Sequence, residues 1–151
     1  LTAIIRLTTR LTAIRQLTFT ATSGAMSSCQ WTGKGNGRVE VVSDSDGLRF
    51  YESGTFNLRD RSASVAFTNV YRWQPLEDRI QLYHERRGSD QAVWLLDLIP
   101  GDDENTLVSA IPHLCGDDHY AARLTLDAQG FTLCWTIRGP RKEEYLAYRY
   151  Q

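Results

Sequence analysis

The sequence predicts an all-β domain: an antiparallel up-and-down β-barrel of about 8–11 strands behind a short N-terminal helix. Three observations lead there. From Leu17 onward, short runs of β-branched, aromatic and alternating residues recur, separated by turn signals about every ten residues. No later segment carries the periodicity of a long helix. So many hairpin-linked strands would leave long unpaired edges in an open sheet, and closure into a barrel removes them. A barrel of this size holds packed side chains or one small ligand in its mouth, so the architecture itself proposes a binding cavity.

The elements follow in order. Ile4, Leu7, Leu11 and Ile14 have helical spacing, so residues 1–16 read as an N-terminal extension with a short amphipathic helix, although its threonines weaken the propensity. The near-repeat LTAIIRLT and LTAIRQLT within residues 1–18 is too short for a solenoid. Residues 17–151 form the barrel domain, with strands expected over 17–22, 28–33, 36–43, 47–54, 64–73, 79–85, 92–99, 106–113, 119–127, 130–138 and 143–150. Ser45-Asp46-Gly47, Gly88-Ser89-Asp90, Pro100-Gly101-Asp102-Asp103 and Ala128-Gln129-Gly130 carry the turn chemistry that hairpins need. In the run from Gly130 to Arg138, Phe131, Leu133, Trp135 and Ile137 share one face and Thr132, Cys134, Thr136 and Arg138 the other, so one face is buried.

Composition narrows the function. At 151 residues and 17.2 kDa the chain has room for one domain with a real core. Its net charge of -1 and pI near 6.3 supply no field for a nucleic-acid backbone or an anionic membrane, and neither is expected as a partner. Cys29, Cys115 and Cys134 fit no disulfide framework or CxxC site, and they read as free thiols in a reducing compartment. Arg6, Arg10 and Arg15 interrupt the only apolar stretch at the start, so no signal peptide or membrane span is expected and a cytoplasmic location is. The Arg-rich, Thr-rich, acid-free start also has the composition of an organelle transit peptide, but the lack of an initiating Met favours a processing or vector remnant.

Reactive side chains gather at Ile111–Tyr120. His113 and Cys115 stand two residues apart and so share a strand face, Asp118 and Tyr120 repeat that spacing, and Pro112 and Gly116 bracket a chain reversal. The motif is therefore expected at one end of the barrel, lining its mouth or interior. His84 on another strand is a further candidate, but with His113 and Cys115 it matches no established metal spacing, and no metal site is expected. Trp135 leads into a Gly139-Pro140 turn where Arg138, Arg141 and Lys142 offer three cations to a carboxylate or phosphate, with Glu143 and Glu144 beside them as neutralising partners. Trp31, Gly33, Gly35 and Gly37 place glycines on one strand face, which permits close approach or strong coiling, and they lack the spacing of a phosphate loop.

His113-x-Cys115-x-x-Asp118-x-Tyr120, followed by Trp135-x-Ile137-x-Gly139-Pro140-Arg141-Lys142 with Tyr148 behind, resembles an uncharacterised bacterial domain-of-unknown-function family whose C-terminal half reads HxCxxDxY and WxVxGPRK. The likeness runs upstream through Gly47–Gly54 and Tyr71-Arg72-Trp73 to cover roughly residues 11–150. It implies a calycin-like, lipocalin-type barrel. Where the family is expected to carry a His in an FHxF segment, this chain has Val93-Trp94-Leu95-Leu96, so a cluster built on that His is incomplete. A weaker likeness, through Trp31, Gly33, Gly35 and Gly37, is to nitrobindin-type haem barrels. Those hold iron through a C-terminal His, and residues 120–151 contain none, so the likeness supplies no haem ligand and the cofactor stays open.

Three functional readings follow. The first is a binder of a small organic ligand, in one form an anion, using His113, Cys115, Asp118, Tyr120, Trp135, Arg138, Arg141, Lys142 and His84. The second is an enzyme at the barrel mouth in which His113 moves a proton, Asp118 orients it, Tyr120 donates, and Arg141 or Lys142 holds the charge of a small polar or anionic substrate. The third is a solid-cored interaction protein. A small molecule is the expected partner, and the reading leaves room for a homodimer.

Overall fold

The computed structural model describes residues 2–27, 31–59, 62, 64–111, 113–115 and 117–151, with residues 113–115 given by backbone alone. Cys29, Pro112 and Gly116 lie outside the described residues, as do the side chains of His113 and Cys115. One helix, α1 (Ala3–Leu11), precedes β1 (Gln16–Ser23), β2 (Gly33–Asp44), β3 (Gly47–Leu58), β4 (Ser64–Pro75), β5 (Ile80–His84) and β6 (Val93–Pro100). Then come β7 (Thr106–Ser109), β8 (His113–Cys115), β9 (Asp118–Leu126), β10 (Phe131–Gly139) and β11 (Lys142–Tyr150).

Neighbours along the chain pair antiparallel except β7 and β8, and β11 returns to pair with β1 from Leu17↔Tyr150 to Ser23↔Glu144, which closes the sheet. β7 and β8 share one edge of β9, so the wall is a closed up-and-down barrel of 10 strands. This is the all-β barrel with a short helix that the hairpin pattern predicts.

Two expected strands differ. The segment expected over 28–33 is not a strand at Trp31 and Thr32, and β2 begins only at Gly33. Side chains take over the ladder there: the Trp31 N–H donates to Ser23 Oγ at 2.9 Å and the Ser23 N–H to Thr32 Oγ1 at 3.1 Å. The strand expected over 106–113 is interrupted, because Val108 opposes Arg123 while His113 opposes Tyr120, which leaves extra residues on one side. The Ala110 N–H turns back to the Asp97 carbonyl at 2.9 Å, and Ser109 Oγ accepts the Ala122 N–H at 3.1 Å.

Alternation sorts the side chains. Phe131, Leu133 and Trp135 face inward with Leu124, Ala122, Tyr148 and Tyr150 of the flanking strands. On β1 and β2, Thr18, Thr20, Lys34, Asn36 and Arg38 make the other face polar. The glycines of β2 have a packing cause. A Cβ at Gly35 would sit 2.2 Å from Cε1 of Phe19, whose ring lies over that glycine and stacks on Phe56 at 5.4 Å and Tyr148 at 5.1 Å between centroids.

One end of the barrel is filled. Thr2 caps α1 by accepting the Ile5 N–H at 3.3 Å, and the helix buries Ala3, Ile4, Leu7 and Leu11 in the same core as Leu98, Leu107 and Leu126. Ile14 lies beyond the helix end and is buried in the connection to β1. Arg10 ties the helix to the β9–β10 turn through the Asp127 carbonyl at 2.6 Å. Among the described residues no helix is long and apolar enough to cross a membrane.

Candidate functional site

With α1 and the large side chains of Phe50, Trp73 and Phe131 filling one end, an open-sided cavity of about 300 Å³ lies toward the other. Its apolar wall is Trp135 and Ile137 of β10, Leu146 of β11, and Val93 and Leu95 of β6. Its polar side is Tyr71 of β4, His84 of β5, Arg86 just beyond β5, Tyr120 of β9 and Tyr148 of β11. Leu95 reaches it because the β5–β6 register shifts between Leu82 and Tyr83, which lets Leu96 stay in the core beside it.

His84 lies opposite Tyr71 in register and meets its ring edge-to-face at 5.3 Å. Its Nδ1 accepts the Arg86 backbone N–H at 3.3 Å, while its buried Nε2 has no hydrogen-bond partner among the described residues. Burial, and then the Arg86 cation, lower its pKa, so the ring is neutral at pH 7 and its proton sits on Nε2.

Beneath the tyrosines lies a buried acid. Glu52 is 2% exposed, and its Oε2 accepts the Tyr150 hydroxyl at 2.7 Å while Oε1 has no partner among the described residues. Burial pushes its carboxyl up to about 7, against the pull of Tyr150 and of Asn69, its register partner in β4. Burial likewise raises Tyr148 to about 12 and Tyr71 and Tyr150 well above their ordinary value, with the Glu52 charge adding to each. All three phenols are therefore protonated donors at neutral pH.

Outside the wall, β5 is pinned by charge. Glu85 is 3% exposed and accepts from Arg49 Nε at 2.7 Å and Arg72 Nε at 2.9 Å, while Arg49 also pairs with Asp44. Burial alone would raise the Glu85 carboxyl, but the two guanidinium groups outweigh it and hold the pKa below the ordinary value. Arg72 in turn lies 4.0 Å over the Tyr83 ring. The residues either side of this clamp, His84 and Arg86, are the ones that face the cavity.

Of the residues singled out from the sequence, His84, Tyr120 and Trp135 stand together on the cavity wall. Asp118 is half-buried at the same end of the barrel, 3.7 Å from Lys142 Nζ, and a Cβ on Gly139 would collide with it. Arg138, Arg141 and Lys142 are exposed and do not line the cavity. His113 and Cys115 fall opposite Tyr120 and Asp118 in the backbone register of β8 and β9. Among the described residues no group of three or more His, Cys, Asp and Glu is set to hold a metal. Cys134 is free and exposed.

Arg86 and Leu146 escaped the sequence reading, and Tyr71 and Glu52 entered it through the family likeness alone, not as site residues. One signal existed for Leu146: pairing β10 with β11 about the turn at Gly139 puts it opposite Trp135. Glu52 stood out only as an acid in the alternating row Phe50, Glu52, Gly54, Phe56.

No curated protein and no solved structure matches the chain. A family model described as a family of unknown function, DUF6314, matches residues 10–151. Spanning every strand of the barrel and both motif-bearing hairpins, that match means the chain belongs to the DUF6314 family.

Proposed function

We propose that this barrel binds one small organic molecule in the open-end cavity. The observation that carries the reading is the combination of an aromatic and aliphatic space of about 300 Å³ with a buried His84 Nε2 that no described residue satisfies. Buried polar groups seldom stay unpaired, and a cavity with few polar groups on an apolar wall is how proteins hold small ligands. The volume lies at the small end of the usual range of ~300–1,000 Å³, which suits a one- or two-ring compound.

Val93 sits 48% exposed at the rim, so Val93→Trp blocks entry without disturbing the core. Titration calorimetry with 2-naphthol as a neutral probe should give one site per chain in the native protein and none in that variant. A stoichiometry above one, or binding that survives Val93→Trp, overturns the reading.

A catalytic reading draws on one observation, a buried Glu52 carboxyl near 7 under three protonated phenols, the state of a group ready to exchange a proton at neutral pH. The motif residues His113, Asp118 and Tyr120 remain its proposed participants. If they serve ligand or substrate, His113→Ala leaves the thermal midpoint nearly unchanged and abolishes probe binding. A stability loss with binding intact makes the motif a folding device.

A further inference from the structure

We infer that the cavity selects planar aromatic carboxylates, held by their charged edge between His84 Nε2 and the Arg86 guanidinium and not by the cations of the β10–β11 turn. This rests on the cavity reading above and deepens it. His84 supplies the direction. Its Nδ1 is occupied as an acceptor of the Arg86 N–H, so the unpaired Nε2 is a donor and requires an acceptor on the ligand.

Arg86 supplies the charge. It lines the cavity with an exposed side chain whose guanidinium makes a long bond, 3.5 Å, to Asn69 among the described residues. Its field acts on His84, Tyr71 and Tyr148. A neutral imidazole N–H beside a guanidinium suits a carboxylate, which accepts at both oxygens.

The opposing wall fixes the ligand body. Trp135, Ile137 and Leu146 bring apolar surface, and Tyr71 and Tyr148 add aromatic rings, so the uncharged end suits an apolar aromatic body. Glu144 stands opposite Ile137 in β11 and Asp118 is paired with Lys142, so the β9–β11 side offers an anion less than the His84–Arg86 side does. The cationic turn favoured by the sequence pattern is exposed and does not line the cavity.

The test compares 2-naphthoate with its uncharged isostere 2-naphthamide by titration calorimetry, on the native chain and on Arg86→Gln, an exposed position whose folding is checked by thermal midpoint. The native chain should bind naphthoate at least about tenfold tighter than naphthamide, and Arg86→Gln should bring the two affinities together. Equal affinities in the native chain overturn the inference and leave the cavity reading standing. A naphthoate preference that persists in Arg86→Gln also overturns it, since the anion then sits elsewhere. No binding of either probe overturns both the inference and the cavity reading.

Discussion

The Tyr150 hydroxyl donates to Oε2 of Glu52 at 2.7 Å, a bond between the last strand and β3 made inside a closed apolar barrel. With the weaker pull of Asn69, it holds a carboxyl that burial has moved to about 7. A buried acid with so little compensation makes folding depend on pH.

The sign follows from the two pKa values. In the unfolded chain Glu52 loses its proton near 4.5, while in the folded chain it keeps it to about 7. Between these values the folded state binds more protons, so stability falls as pH rises and levels off above 7, by roughly 3 kcal/mol in all. Glu52→Gln should remove that slope. His84, with a lowered pKa, acts with the opposite sign at lower pH, and it cancels in the difference between native and variant. Chemical denaturation from pH 4.5 to 8 measures it, and a native-minus-variant difference flat across that span sinks the prediction.

Glu85 is the hub of Arg49 and Arg72. Glu85→Ala leaves the buried Arg49 with the more exposed Asp44 and Asp46 as ion partners among the described residues and should cost about 3–5 kcal/mol, because removing one partner of a buried pair strands the other. Urea unfolding reads this directly, and a loss under 1 kcal/mol would mean the network is ornamental.

Gly35 exists to seat Phe19. Gly35→Val should destabilise the barrel by about 1–3 kcal/mol through displacement of that ring and its stacks. Pairing Gly35→Val with Phe19→Leu should recover part of the loss, a coupling that two independent sites would not display.

Helix α1 is part of the core although most of it precedes the residues matched by the family model. Leu7 is fully buried, and Leu7→Ala should cost about 2–5 kcal/mol. Ile5, 50% exposed on the same helix, should tolerate Ala within about 0.5 kcal/mol. Equal effects at the two positions would mean the helix does not dock on the barrel.

The chain's own pattern determined the barrel. Period-two alternation in Phe131–Ile137 and the turn residues at Asp46-Gly47 and Gln129-Gly130 are local properties, and backbone sterics with apolar burial turn them into paired strands wherever they occur. Helical spacing of Ile4, Leu7 and Leu11 is local in the same way. What lines the cavity is not. Tyr71, His84, Trp135 and Tyr148 lie on four strands, and only closure and register bring them to one height, since a slip of one residue would turn each away. The motif cations were conspicuous in sequence because charge near a Gly-Pro turn is conspicuous, but tertiary structure left them on the surface. Arg86, two residues beyond His84, looked like one more charge in a loop until closure set both against the cavity. Glu52 looked like a solvated acid until the barrel closed around it, and its proton affinity is a property of that enclosure, not of the residue.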